Sequence, residues 1–114
     1  MATISTHILD TSRGRPAPGV DVKLEILNAG EGWSPLSEAS TDEDGRVTEF
    51  SLNEPQIGPG TYRLVFSVGR YFESLTQETF YPEVVVTFLI DSAGEHYHVP
   101  LLISPFGYST YRGS

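Results

Sequence analysis

The chain has 114 residues, carries a formal charge of −8 and contains no cysteine. That length fits one domain, 1–114, and is enough to bury a core without disulfide or metal staples. The missing thiols exclude a disulfide framework, a thiolate nucleophile and a Cys-based zinc site, and the acidic balance argues against nucleic acid and against anionic membrane surfaces as partners.

No apolar run approaches the roughly 18 residues of a spanning helix. The opening Met1-Ala2-Thr3-Ile4-Ser5 has no basic region followed by an apolar stretch, so no signal peptide is visible and the expected compartment is the cytoplasm. A periplasmic or peroxisomal protein processed from a longer precursor stays open. From the start, His7 lies in an N-terminal strand whose opposite face carries Ile8. Arg13-Gly14-Arg15-Pro16 is a turn. Val20, Val22, Leu24 and Ile26 alternate with Asp21, Lys23 and Glu25, which reads as a half-buried strand. Asn28-Ala29-Gly30-Glu31-Gly32 and Asp42-Glu43-Asp44-Gly45 are further turns, and Gly58-Pro59-Gly60 precedes a second alternating strand through Tyr62, Leu64, Phe66 and Val68. A short helix is expected over Arg70 to Leu75. Val84 to Ile90 is apolar almost throughout and reads as a central strand. After the Ala93-Gly94 turn, Tyr97 to Ile103 is a strand in which Pro100 must sit where no ladder donor is needed. A turn over Ser104-Pro105-Phe106-Gly107 leads to an aromatic, Thr-rich end from Tyr108 to Arg112. Short strands broken by turns at this spacing predict an all-β sandwich or barrel.

Three histidines, His7, His96 and His98, are the residues best suited to move protons near neutral pH. His96 and His98 are two apart in a strand and so share a face. A solvated, inert histidine is the alternative at each position. A metal reading is also open, since His-x-His plus a third histidine can hold zinc with a position left for water. Asp42-x-Asp44-Gly45 resembles the start of a calcium loop, but the twelfth position is Asn53 rather than a glutamate. A hairpin turn that presents Arg46 fits better. A guanidinium held by a rigid bend can grip a planar carbonyl or carboxylate; the alternative is a solvated arginine balancing the acidic run before it. There is no Gly-x-Ser-x-Gly elbow. If the chain is a hydrolase, water is the attacking group and histidine its base.

The tail from His96 to Ser114, HYHVPLLISPFGYSTYRGS, resembles the C-terminal signature of 5-hydroxyisourate hydrolases. Ser5-Thr6-His7-Ile8-Leu9-Asp10 resembles their opening strand, Thr41-Asp42-Glu43-Asp44-Gly45-Arg46 their arginine-bearing turn, and Phe80-Tyr81-Pro82-Glu83-Val84 the entry to their sixth strand. These blocks lie in order along nearly the whole chain, and the closing Tyr-Arg-Gly-Ser is absent from transthyretins proper.

The resemblance implies a transthyretin-like, two-sheet β-sandwich of about eight strands with one short helix after the fifth. It implies a homotetramer, a dimer of dimers, with active sites in the channel between dimers. The implied activity is opening of the 5-hydroxyisourate ring to a ureidoimidazoline carboxylate, with no cofactor and no metal. By resemblance the catalytic residues are His7, Arg46, His98 and Ser114, with Tyr111, Arg112 and Gly113 shaping the substrate site and His96 a neighbour. The transthyretin arrangement makes the first, seventh and eighth strands sheet neighbours, and a two-residue period would set Thr110, Arg112 and Ser114 on one face. Two rivals remain: a small-ligand carrier on the same fold, and a His-ligated metal hydrolase.

Overall fold

Alternating apolar residues, cut by tight turns, form two sheets that close on one core. The computed structural model describes residues 2–50, 57–92 and 94–114. In chain order these form β1 (Thr3–Asp10), β2 (Arg15–Pro16), β3 (Asp21–Asn28), β4 (Gly32–Ser40), β5 (Arg46–Val47) and β6 (Gly60–Phe66). Helix α1 (Val68–Ser74) follows, then β7 (Val84–Ile90), β8 (His96–Ser104) and β9 (Gly107–Thr110). With the two-residue β2 set aside, the described residues hold eight strands and the helix follows the fifth. Asn53, and Ala93 of the Ala93-Gly94 turn, lie outside the described residues.

One sheet runs β2-β1-β8-β9, with β5 also pairing β1, and the other runs β4-β3-β6-β7. β1 and β8 are parallel from Thr3 opposite His96 to Asp10 opposite Ile103. The core lies between the sheets. Ile4, Ile8, Leu101 and Ile103 face Val22, Leu24, Leu64 and Phe66, and all are buried. At about 25 cal/mol per Å² of apolar surface removed from water, this cluster is the main term holding the sheets together.

Helix α1 forms because Val68, Tyr71 and Phe72 fall on one stripe and are buried together. It starts two residues before the expected Arg70 and ends one before Leu75. Its docking is fixed by Asp10, which is fully buried at the end of β1. The Tyr71 hydroxyl donates to Asp10 Oδ2 at 2.8 Å, and the Ser12 amide and hydroxyl donate to Oδ1 at 3.0 and 2.6 Å. Burial, and then this carboxylate, push the Tyr71 phenol up to about 12.

Two details depart from the expectations. β4 is an edge strand in a stretch without apolar alternation, and the register against β3 shifts at Leu24/Glu25, where Pro35 lies opposite Glu25. β7, expected at the centre of a sheet, is an edge. Uniform apolarity marks a strand covered on both sides, but in this chain Val85 and Leu89 face solvent, the latter 70% exposed.

Gly45 sits at a tight approach of the backbone to β1. Its φ is +75°, and a Cβ there would stand 2.5 Å from the Ile8 carbonyl oxygen. Gly19 has a similar φ of +71° but open space around it. Gly19→Ala should therefore cost about 1–2 kcal/mol from left-handed backbone alone, and Gly45→Ala clearly more. Urea denaturation of both variants checks this; equal losses would show that the approach of β1 to the turn is not limiting.

Candidate active site

The two-residue period turns Ile4 and Ile8 of β1, and Tyr97, Val99 and Leu101 of β8, into the core. The same period puts Thr3, Ser5, His7, His96, His98 and Pro100 on the opposite face of the sheet. Parallel register then sets Ser5 beside His98 and Thr3 beside His96. A chain of side-chain contacts results. Thr3 Oγ1 is 2.5 Å from His96 Nδ1, His96 Nε2 is 2.8 Å from Ser5 Oγ, and Ser5 Oγ is 2.8 Å from His98 Nδ1.

Arg46 reaches this face through its turn. The Asp42 carboxylate accepts from the amides of Asp44 at 2.9 Å and Arg46 at 3.0 Å. Gly45 supplies the left-handed residue that completes the bend, and Arg46 then pairs across from His7. The acidic run before Arg46 thus builds a turn rather than a calcium loop, but not the expected hairpin, because β4 pairs β3 and β5 crosses to β1 in the other sheet.

The tail arrives from the other edge. Gly113 donates its amide to the His98 carbonyl at 2.8 Å. A Cβ at Gly113 would lie 2.5 Å from His98 Cδ2, so only glycine lets the tail lie flush against the imidazole. The register that pairs Leu101 with Thr110 and His98 with Gly113 sets Pro100 opposite Tyr111. Proline has no N–H to give there, and β9 ends at Thr110.

Beyond that break the expected shared face of Thr110, Arg112 and Ser114 divides. Ser114 lines the histidine cavity. Thr110, Tyr111 and Arg112 instead border an apolar cleft with Val86, Phe88, Tyr97 and Val99. Arg112 stacks over the Tyr97 ring at 4.5 Å and reaches Glu95 at 3.6 Å. Pairing alternates, so Arg112 follows Val99 to the inward side, while the final residue turns back toward the histidines.

The result is a polar cavity of about 290 Å³ lined by Ser5, Thr6, Arg46, Val47, Thr48, His96, His98 and Ser114. His7 borders it beside Arg46 rather than lining it. Burial holds the His98 imidazole below its ordinary range, and repulsion from His96, Arg46 and His7 lowers it further, against a hydrogen bond with Ser5. The neutral, basic form of His98 is therefore favoured, and it shares the cavity with the Arg46 guanidinium. Such a pair can take a proton from water and stabilise a developing oxyanion. Of the residues singled out from sequence, His98, Arg46, Gly113 and Ser114 come together, His7 stands next to them, and Tyr111 and Arg112 do not join them within one protomer. Ser5 was missed; its signal was its place two residues before His7 on the same strand face. Among the described residues, no three His, Asp or Glu side chains converge to hold a metal ion.

A model of the HIUase/Transthyretin family matches residues 4–113. A 5-hydroxyisourate hydrolase from Salmonella dublin is 51% identical over 111 residues, spanning 97% of this chain and 80% of that protein. The solved Klebsiella pneumoniae 5-hydroxyisourate hydrolase superposes with a TM-score of 0.84 at 41% identity, covering 98% of this chain and 99% of the other. Sea bream transthyretin, solved in complex with thyroxine, gives a TM-score of 0.89 at 30% identity over 96% and 93% of the two chains.

The electrostatics give a direct measurement. The His98 ring, followed by proton NMR, should titrate with a midpoint below 6.5. Arg46→Ala removes a positive charge that disfavours the imidazolium, so the midpoint should rise in that variant. An unchanged midpoint would mean that the guanidinium and the ring do not sense each other.

Proposed function

The chain belongs to the HIUase/transthyretin family, and we propose that it is a hydrolase opening the ring of 5-hydroxyisourate to 2-oxo-4-hydroxy-4-carboxy-5-ureidoimidazoline in urate catabolism. The observation that carries this reading is the polar cavity in which His98, Arg46 and Ser114 converge. In this reading water adds to the ring's amide-like carbonyl carbon, and a histidine takes the proton that water releases. The tetrahedral oxyanion then collapses, the carbon–nitrogen bond breaks, and the same proton passes to the leaving nitrogen, leaving a carboxylic acid that ionises to the carboxylate by losing its proton to solvent.

His98 is assigned the base, because burial, and then repulsion from its neighbours, disfavours its charged form. Arg46, whose backbone the turn holds, is assigned the donor to the oxyanion. His7, opposite Arg46, steers the water, and Ser114 bonds the substrate. Gly113 contributes by having no side chain beside His98. Arg112, stacked on Tyr97 and paired with Glu95, anchors the tail, with Tyr111 beside it. No cofactor enters this scheme.

The same reading includes a homotetramer built as a dimer of dimers. Leu89 and Phe80 are each 70% exposed and Phe106 68%, and apolar surface on this scale is covered in stable assemblies. The likeness to thyroxine-bound sea bream transthyretin favours a second reading, a carrier. A cavity lined by arginine, two histidines and serines suits an apolar aromatic hormone poorly.

Decay of 5-hydroxyisourate, generated in place by urate oxidase and followed by absorbance, tests the assignment. His98→Asn and Arg46→Ala, folded as the parent, should each lose on the order of 10²–10³ in kcat. Wild-type rates in both would sink it, and tight thyroxine binding without hydrolysis would favour the carrier. Chelator-sensitive activity with stoichiometric zinc would overturn the metal-free scheme. Removal of Tyr111 to Ser114 should abolish turnover while shifting Tm by only a few degrees; full activity without the tail would show that it takes no part.

A further inference from the structure

The hydrolase reading needs one histidine to act first as base and then as acid, and the cavity wall holds more than that step requires. Ser5 Oγ stands 2.8 Å from His96 Nε2 and 2.8 Å from His98 Nδ1, and Thr3 Oγ1 closes the far end on His96 Nδ1. A serine hydroxyl has one hydrogen to give and lone pairs to receive. It cannot donate to both rings at once. Ser5 therefore couples the two imidazoles: whichever ring presents a bare nitrogen takes the hydroxyl hydrogen, and the other must present an N–H.

We propose that Ser5 and His96 are positioning residues that form a proton relay with His98, fixing its tautomer before reaction and holding the displaced proton while the oxyanion exists. The relay rests on the hydrolase reading for its function but not for its chemistry. With His96 neutral and its Nδ1–H on Thr3, Ser5 donates to His96 Nε2 and receives from His98 Nδ1–H. His98 Nε2 is then the bare nitrogen, and it has no hydrogen-bond partner among the described residues.

When water attacks, its proton goes to His98 Nε2. The Nδ1 proton moves to Ser5 Oγ, and the Ser5 hydroxyl hydrogen moves to His96 Nε2. His98 is neutral again but now carries its proton on Nε2, as an acid. His96 is the cation, one residue further from the oxyanion and Arg46. As the carbon–nitrogen bond breaks, His98 gives its Nε2 proton to the leaving nitrogen. The chain runs backward, His96 returns its proton through Ser5 to His98 Nδ1, and every group is as it began.

The surroundings suit this direction of flow. His7 and Arg46 face His98 from β1 and β5, and both disfavour a positive charge on that ring. Ser114 lines the cavity from the tail. Glu95, next to His96 in the chain, pairs with Arg112, whose guanidinium also stacks on Tyr97. His96 is exposed, so a charge parked there is met by solvent.

The tautomers are readable without turnover. In long-range proton–nitrogen spectra of protein labelled at histidine nitrogens, His98 should carry its proton on Nδ1 at high pH. The first proton to enter the pair on lowering pH should convert it to the Nε2–H form. In Ser5→Ala the conversion should disappear. A His98 tautomer that ignores this proton, or that switches equally in Ser5→Ala, overturns the relay. In the hydrolysis assay, Ser5→Ala and His96→Asn should lose about tenfold or more in kcat with KM nearly unchanged, the scale of loss when a histidine's orienting partner is removed. Ser5→Thr, which keeps the hydroxyl, should recover most of it. Wild-type kcat and pH profile in Ser5→Ala would also overturn the proposal. A tautomer switch in a protein that hydrolyses no 5-hydroxyisourate would leave the relay standing and remove the proposed function.

Discussion

The parallel ladder between β1 and β8 is the constraint from which the rest follows. Its register, Ser5 opposite His98 and His7 opposite Pro100, decides which residues share the outer face. A slip of one residue would turn Ile4 and Ile8 to solvent and Ser5 and His7 into the core. The apolar set therefore protects the polar one: the burial of Ile4, Ile8, Leu101 and Ile103 pins the register that the histidine face needs. β5 and the tail attach to the two outer edges of this pair and bring Arg46 and Gly113 to it from opposite sides.

How much of this was legible in the sequence depends on what kind of signal each part leaves. β3 and β6 alternate cleanly because one face of each is buried, and they appear where the pattern puts them. The Asp42–Gly45 turn was legible because its chemistry is local: a carboxylate that caps amides two and four residues on, then a residue that needs positive φ. β4 left no such trace. It is an edge strand, partly exposed along its length, and it carries Pro35. β7 misled because its apolar outer residues report a cover that this chain does not supply.

The site divides along the same line. His7, Arg46, His98 and Ser114 could be named from the resemblance, and Arg46 from its turn. Ser5 could not, since a serine in a strand is ordinary until a partner strand sets a histidine beside it. Nor could the tail's division, in which Arg112 turns to Tyr97 and Ser114 to the histidines. That outcome depends on Pro100, whose missing N–H ends β9 one residue short of Tyr111. The charge of the chain was legible as a total but not as a pattern. Against a net −8, the cavity holds the Arg46 guanidinium, so a local positive charge stands within an acidic molecule.

The β1–β8 ladder also has a consequence for the order in which the chain is written. Its partners are separated by 93 positions along the chain, which is the slow, loop-closing kind of contact. Yet Thr3 and Gly113 flank the same strand, at His96 and His98. They stand about two strand spacings, or roughly 10 Å, apart. A few residues would join them, and new ends opened in the exposed turn at Gly30 would make β8, β9 and β1 consecutive. The strands that carry the histidines would then come from one stretch of the permuted chain, with the architecture unchanged and the most distant pairing brought much closer in sequence.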